Sequence, residues 1–159
     1  MAVVPCAGCG GLVPHLDGPT HRNIGASPGC WAIYGELLAR DLPASEFAPL
    51  AVDAYAVQHP GEPGPQSTPS GWIHLIALHL VLESGWPTNR LIRIRTVGAD
   101  TFRRWPWLQP PPSMGPITAV DVASGRAQPD IVERWVRGAW EAWSTQHPAV
   151  RERTAGLLG

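Results

Sequence analysis

The 159-residue chain reads as a mainly α protein, a helical bundle with an irregular N-terminal zinc-knuckle segment, and three observations predict it. Apolar residues from Trp72 to Leu82 run nearly all round a helical wheel, as in a central helix buried on most sides. The pairs Ser27-Pro28 and Thr68-Pro69 each join a capping residue to a proline suited to the first helical turn. Glycine, proline and small polar residues crowd 1–26, which shows no sustained apolar period yet holds Cys6 and Cys9. The chain is therefore read as one domain over 1–159, with 1–26 a metal-binding segment and 27–159 the bundle.

Taken in order, the first helix starts at the Ser27 cap, with Trp31, Ile33, Tyr34, Leu37 and Leu38 as its apolar side and Cys30 in its first turn. A second starts at Ser45, runs through Phe47, Leu50, Ala51, Ala54 and Tyr55, and ends at Pro60-Gly61. After the loop 62–69 comes the central helix, which carries His74 and His79. Leu91-Ile92-Arg93-Ile94-Arg95 alternates like an edge strand but lies behind a Thr88-Asn89 cap signal, and is assigned to helix. Trp105-Pro106-Trp107-Leu108, followed by three prolines at 110–112, cannot continue a helix and is expected to form an extended strap. Thr118 caps a short turn. Pro129 opens a helix with Ile131, Val132, Trp135, Val136, Ala139, Trp140 and Trp143 on one side, and a terminal helix starts at Pro148.

Composition narrows the function. Twelve arginines, no lysine and a net charge of −1 give no field that draws nucleic acid or an anionic membrane, so neither is expected as a partner. The missing lysine removes Schiff-base and P-loop lysine chemistry. An odd cysteine count, no leader pattern and no apolar run of membrane length point to a reduced, cytoplasmic setting in which thiolates serve a metal. The partner expected is a small-molecule substrate or ligand, and the oligomeric state is left open.

Cys6-Ala7-Gly8-Cys9 is a C-x-x-C knuckle that presents two thiolates to one tetrahedral ion, and Cys30 supplies a third. The exposed amides and positive dipole end of the helix that begins at Pro28 favour the thiolate of Cys30. Zn2+ is the expected ion. The fourth position is open to His21, His59, His74 or water. His21 is chosen because it is nearest to Cys30 in the sequence and lies in a loop able to fold back, giving the set Cys6, Cys9, His21 and Cys30.

Asp53 interrupts an otherwise apolar stretch from Ala48 to Val57, where an unpaired charge would be costly. A histidine or arginine beside it would stabilise the carboxylate. With the second and third helices antiparallel across the 59–69 connection, a rise of about 1.5 Å per residue sets His74 level with Asp53. Tyr55, Gln58 and His59 fall at the same end of the bundle. Asp53, Tyr55, His59 and His74 are thus the candidate catalytic residues, a carboxylate orienting an imidazole that moves protons. The competing view makes Asp53 and His74 a buried pair that fixes helix register.

The motifs Cys6-Ala7-Gly8-Cys9-Gly10, Gly18-Pro19-Thr20-His21, Ser27-Pro28-Gly29-Cys30-Trp31, the run from Asp53 to Gly61 and His74-Leu75 resemble a family of small bacterial proteins catalogued as a domain of unknown function. The similarity extends to 110–122 and 146–151. The resemblance implies that these residues form one characteristic set, and implies no activity. From the residues themselves, the leading expectation is a metal-dependent hydrolase in which zinc lowers the pKa of a bound water and Asp53 or a histidine moves protons. The alternative is a zinc-stabilised, non-catalytic binding or adaptor protein that uses the N-terminal loop and the strap.

Overall fold

A computed structural model of the chain describes residues 2–125 and 127–159. Among the described residues seven α-helices carry the fold: α1 (Pro28–Glu36), α2 (Ala51–Val57), α3 (Ser67–Leu82), α4 (Ile92–Phe102), α5 (Ala119–Ser124), α6 (Ile131–Ala142) and α7 (His147–Leu158). Helix α3 is the hub, packed against α2, α4, α6 and α7, and its Trp72, Leu75, Ile76, Leu78 and Leu80 are buried. That accounts for its lack of a polar face. Helix α6 shows the opposite pattern, burying Ile131, Val132, Trp135, Val136, Ala139 and Trp140 while Glu133 and Arg137 pair outside. Among the described residues no helix is long and apolar enough to cross a membrane.

The N-terminal segment is more regular than its composition suggests. Strands β1 (Val3–Pro5) and β2 (Leu12–Pro14) pair antiparallel, with Val4 opposite Val13 and Pro5 opposite Leu12, and the C-x-x-C knuckle is the turn of this hairpin. Three-residue strands are too short to leave an alternation in the sequence. Gly10, at φ 77°, closes the knuckle in the left-handed region that glycine enters freely. Val13 is fully buried and Val4, opposite it, packs partly buried against the core, so the hairpin is anchored through this cross-strand pair.

Most helix starts differ in detail from the expected ones: Thr68 and Pro69 lie inside the first turn of α3, whose N-cap is Gln66, α6 starts at Ile131, two residues after Pro129, and α7 starts at His147, one before Pro148. Ser27 holds the N-cap position of α1 but its hydroxyl does not cap the helix; Oγ accepts the amide of Ala7, 2.9 Å away, and so ties the knuckle to the helix start. Ser45 precedes a 3-10 turn (Ala48–Leu50), with α2 proper beginning after it, because Pro49 suits only a first turn. The stretch at 91–95 is helical, entered through a 3-10 turn at Thr88–Leu91. At Thr118 the full capping box forms, with the backbone amide of Thr118 donating to Asp121 Oδ2 at 2.8 Å.

The strap is not helical, and Trp105 and Leu108 pack inward from it. Trp72 Nε1 donates to the carbonyl of Pro106 at 2.9 Å, and Trp105 sets its ring 4.9 Å from Trp72 and 4.7 Å from Phe102. At the far side of α2, Gln58 is fully buried and fully used: Nε2 donates to the carbonyls of Met114 and Ile117, both at 2.8 Å, and Oε1 accepts Trp135 Nε1 at 2.9 Å. Trp143 Nε1 donates to the Val57 carbonyl at 3.0 Å. The carboxyl end of α2 is thereby fixed to the 114–118 loop and to α6, and the residue that follows it is His59.

Candidate metal centre and adjoining cleft

Three parts of the chain converge at the amino end of α1. The knuckle brings Cys6 and Cys9, the first turn of α1 brings Cys30, and the end of α2 brings His59. Their four ligand atoms all lie within 4.8 Å of one another. Cys9 Sγ is 3.9 Å from Cys30 Sγ, and Cys30 Sγ is 3.4 Å from His59 Nε2. A tetrahedron with metal–sulfur bonds of about 2.3 Å and a metal–nitrogen bond of about 2.0 Å has edges of about 3.8 Å and about 3.5 Å, so the group has the dimensions to hold a metal ion.

Its surroundings suit charged sulfur. Cys6 Sγ accepts the Ser27 amide and Cys9 Sγ the Gly11 amide, each at 3.4 Å, and Tyr55 Oη donates to Cys30 Sγ at 3.3 Å. The imidazole of His59 is buried, and its Nδ1–H donates to the Tyr55 carbonyl at 2.6 Å, which leaves Nε2 facing the sulfurs. Hydrogen bonds from Cys30 and then Cys9 hold the Cys6 thiol far below its ordinary range, while the same sharing with Cys6 and Cys9, joined by burial, pushes Cys30 far up. Burial works against a charged His59, yet its hydrogen bonds with Cys6 and Cys9 outweigh that and raise it to about 9. Crowded thiols that cannot all ionise together are what a divalent cation relieves.

Close contacts leave no room for a side chain at two glycines here. A Cβ on Gly8 would fall 2.5 Å from the His59 ring and 2.6 Å from the Gly25 carbonyl oxygen, and one on Gly25 would fall 2.8 Å from the Gly61 backbone. Gly61 turns the chain at φ 70°, so the loop after α2 lies backbone to backbone against the 21–27 loop.

The structure exchanges the places expected for two histidines. His21, expected at the metal, is exposed; its Nδ1 accepts the Asn23 amide at 3.2 Å and its ring faces Trp31. His59, expected in the catalytic pocket, stands with the sulfurs instead. Gly25 N–H donates to the His59 carbonyl at 2.9 Å and docks the loop on the end of α2, while the His21 ring is held on its own side by the Asn23 amide and Trp31. A glycine at 25 and another at 61 were the available signal for that close approach.

Asp53 and His74 meet, with His74 Nδ1 2.8 Å from Asp53 Oδ1. Asp53 is 0% exposed and its other oxygen accepts Arg95 Nη2 at 2.5 Å, a partner from α4 that sequence spacing did not single out. The carboxylate fixes Nδ1 of His74 as the donor, and Nε2 has no partner among the described residues. His74, 17% exposed, lies in the wall of a cleft with two hollows, of about 380 and 220 Å3. Tyr55 is set apart from that pair: its hydroxyl faces Cys30, and the sulfur hydrogen bond adds to burial in pushing its pKa far up. Of the four candidate catalytic residues, Asp53 and His74 share one polar contact, and Tyr55 and His59 belong to the sulfur group.

No curated protein and no solved structure matches the chain. A family model does match, over residues 4–144, a span that holds the three cysteines, His59 and the Asp53–His74 pair. The protein therefore belongs to the family of unknown function DUF5946.

Proposed function

We propose that the protein binds one Zn2+ through Cys6, Cys9, Cys30 and His59, and that this ion is a structural clamp. The observation that carries the reading is the closeness of four protein donors from three separate stretches of chain. Three sulfurs and one nitrogen complete a tetrahedron, which is the pattern of closed structural sites; catalytic zinc keeps one position for water. Hydrolysis through a zinc-activated water therefore has no coordination position to use. The ion's task is to hold the hairpin and the 21–27 loop against α1 and α2. X-ray absorption on the purified, zinc-loaded protein tests this: a shell of three sulfurs and one nitrogen is expected, and an oxygen in the shell would return the reading to a zinc-water hydrolase.

One observation favours hydrolase activity by another route. Asp53 holds His74 with its second nitrogen toward the cleft, the arrangement of a general base set by a carboxylate. In this reading His74 Nε2 takes a proton from water, and the zinc stands outside the reaction. His74→Gln should abolish turnover of an aryl ester or aryl phosphate while zinc content stays unchanged; turnover that survives the substitution removes the reading. The adaptor alternative loses support from the strap, whose Trp105 packs against Trp72 and Phe102.

A further inference from the structure

The cleft beside His74 has a chemical character that the metal reading does not use. Its larger hollow is lined by His21, Arg22, Gln66, Ser70, His74 and Arg103 among others, and no carboxylate lines it. Arg22 has no acidic partner among the described residues, and Arg103 has only an exposed contact with Asp100 at 3.7 Å, which solvent screens. The amino end of the 16-residue α3 borders the same hollow through Gln66, Pro69 and Ser70, and no side chain caps it. The amides of Thr68 and Ser70 are already bonded to the carbonyls of Gly64 and Gln66, so this helix end adds the positive end of its dipole, not free amides, to the two guanidinium groups.

The smaller hollow has the opposite character. Ile24, Trp31, Tyr34, Val52, Tyr55 and Ala56 make up most of its lining. It shares His21, Asn23, Ser70 and His74 with the larger one, so a cationic mouth and an aromatic slot have a common wall. Two polar groups mark that slot and wall. The side-chain oxygen of Asn23 is buried without a hydrogen-bond partner. Burial, and then the charge of Asp53, raise Tyr34 to about 12 and keep its phenol a donor.

We propose that this cleft binds a small organic anion with a flat apolar body, its acidic head held by Arg22, Arg103 and the amino end of α3, and its body against Trp31 and Tyr34. His74 Nε2, steadied by Asp53, stands where head and body join. The larger hollow falls in the range of small-molecule sites and the smaller one adds to it, and a positive mouth over an aromatic slot selects for charge and shape together. The proposal names the ligand class for the His74 reading, but its test requires no turnover.

Phenyl phosphate, benzoate, phenol and inorganic phosphate are titrated by calorimetry into the zinc-loaded full chain. Phenyl phosphate or benzoate should bind, the tighter of the two identifying the acidic head as phosphate or carboxylate. Phenol and inorganic phosphate should each bind at least about tenfold more weakly than that ligand, because each lacks one half of the match. Arg22→Gln and Arg103→Gln change exposed residues and should each weaken binding about tenfold or more, as expected for one charge-assisted contact, with zinc content and melting temperature unchanged. Arg137→Gln, on α6, should leave the affinity as it is. Absence of binding by both aromatic acids, or affinities that neither Arg22→Gln nor Arg103→Gln alters, would overturn the proposal. Binding without hydrolysis leaves it standing and removes only the catalytic reading of His74.

Discussion

The backbone amide of Gly25 donates to the backbone carbonyl of His59 at 2.9 Å, and this single bond joins the N-terminal loop to the end of α2. It is formed where a side chain cannot fit, since Gly25 and Gly61 lie in backbone contact. Gly25→Ala would place its Cβ 2.8 Å from Gly61, against backbone that has no rotamer to change. The expected loss of stability is about 1–3 kcal/mol, read from urea unfolding, with weaker zinc retention against a chelator. A Gly25→Ala protein as stable as the parent would show that the two loops part without effect.

The two histidines that trade places give opposite results on substitution. Replacing a residue that only orients a ligand typically lowers metal affinity about 10–100-fold, so removing a ligand itself should exceed that. His59→Ala is expected to lose zinc to a competing chromophoric chelator, and His21→Ala to keep it. Equal retention by both variants would remove His59 from the coordination shell.

Gln58 offers a test in the core. Its amide serves two carbonyls and one indole N–H, all buried, and Gln58→Leu leaves all three without partners at similar volume. With about 1–3 kcal/mol for each buried polar group left unmade, partly relieved by local relaxation, the variant should unfold about 3 kcal/mol more easily. Denaturant midpoints at unchanged slope provide the measurement.

Acid should act on the contact between α3 and α7. Arg151 first, and His79 after it, hold the Glu83 carboxyl below its ordinary value of 4.5. A lowered folded value means that the carboxylate stabilises the fold fully above the unfolded value and loses this as pH falls through the lowered one. Glu83→Gln should therefore melt at a slightly lower temperature than the parent near neutral pH, the gap closing in acid. A gap that widens on acidification would contradict the sign.

How much of this was legible in the chain varies with range. The helical assignments rested on local chemistry: the proline and cap pairs at 27–28 and 68–69, and the apolar run of α3, lie where helices form. Cys6, Cys9 and Cys30 were readable because a thiolate pair at that spacing has few other uses. Asp53 and His74 were readable because two antiparallel helices joined by a short loop set register by counting. The hairpin was not, since three-residue strands leave no alternation. His59 was missed for a different reason: nearness to Cys30 in sequence favoured His21, whereas the decisive fact is a backbone contact between two glycines 36 positions apart, Gly25 and Gly61. Arg95, Arg22 and Arg103 became visible only when α4 and the loop were placed beside α3, because an arginine's partner is set by the tertiary fold.

The 21–27 loop has two faces, and they answer to different chemistry. Ser27 and Gly25 bind it to the sulfur group through Cys6 and His59, while His21, Arg22 and Asn23 supply one side of the cleft. On the proposed zinc assignment, removal of the ion frees the loop at both Cys6 and His59, and the basic side of the cleft loses its anchor with it.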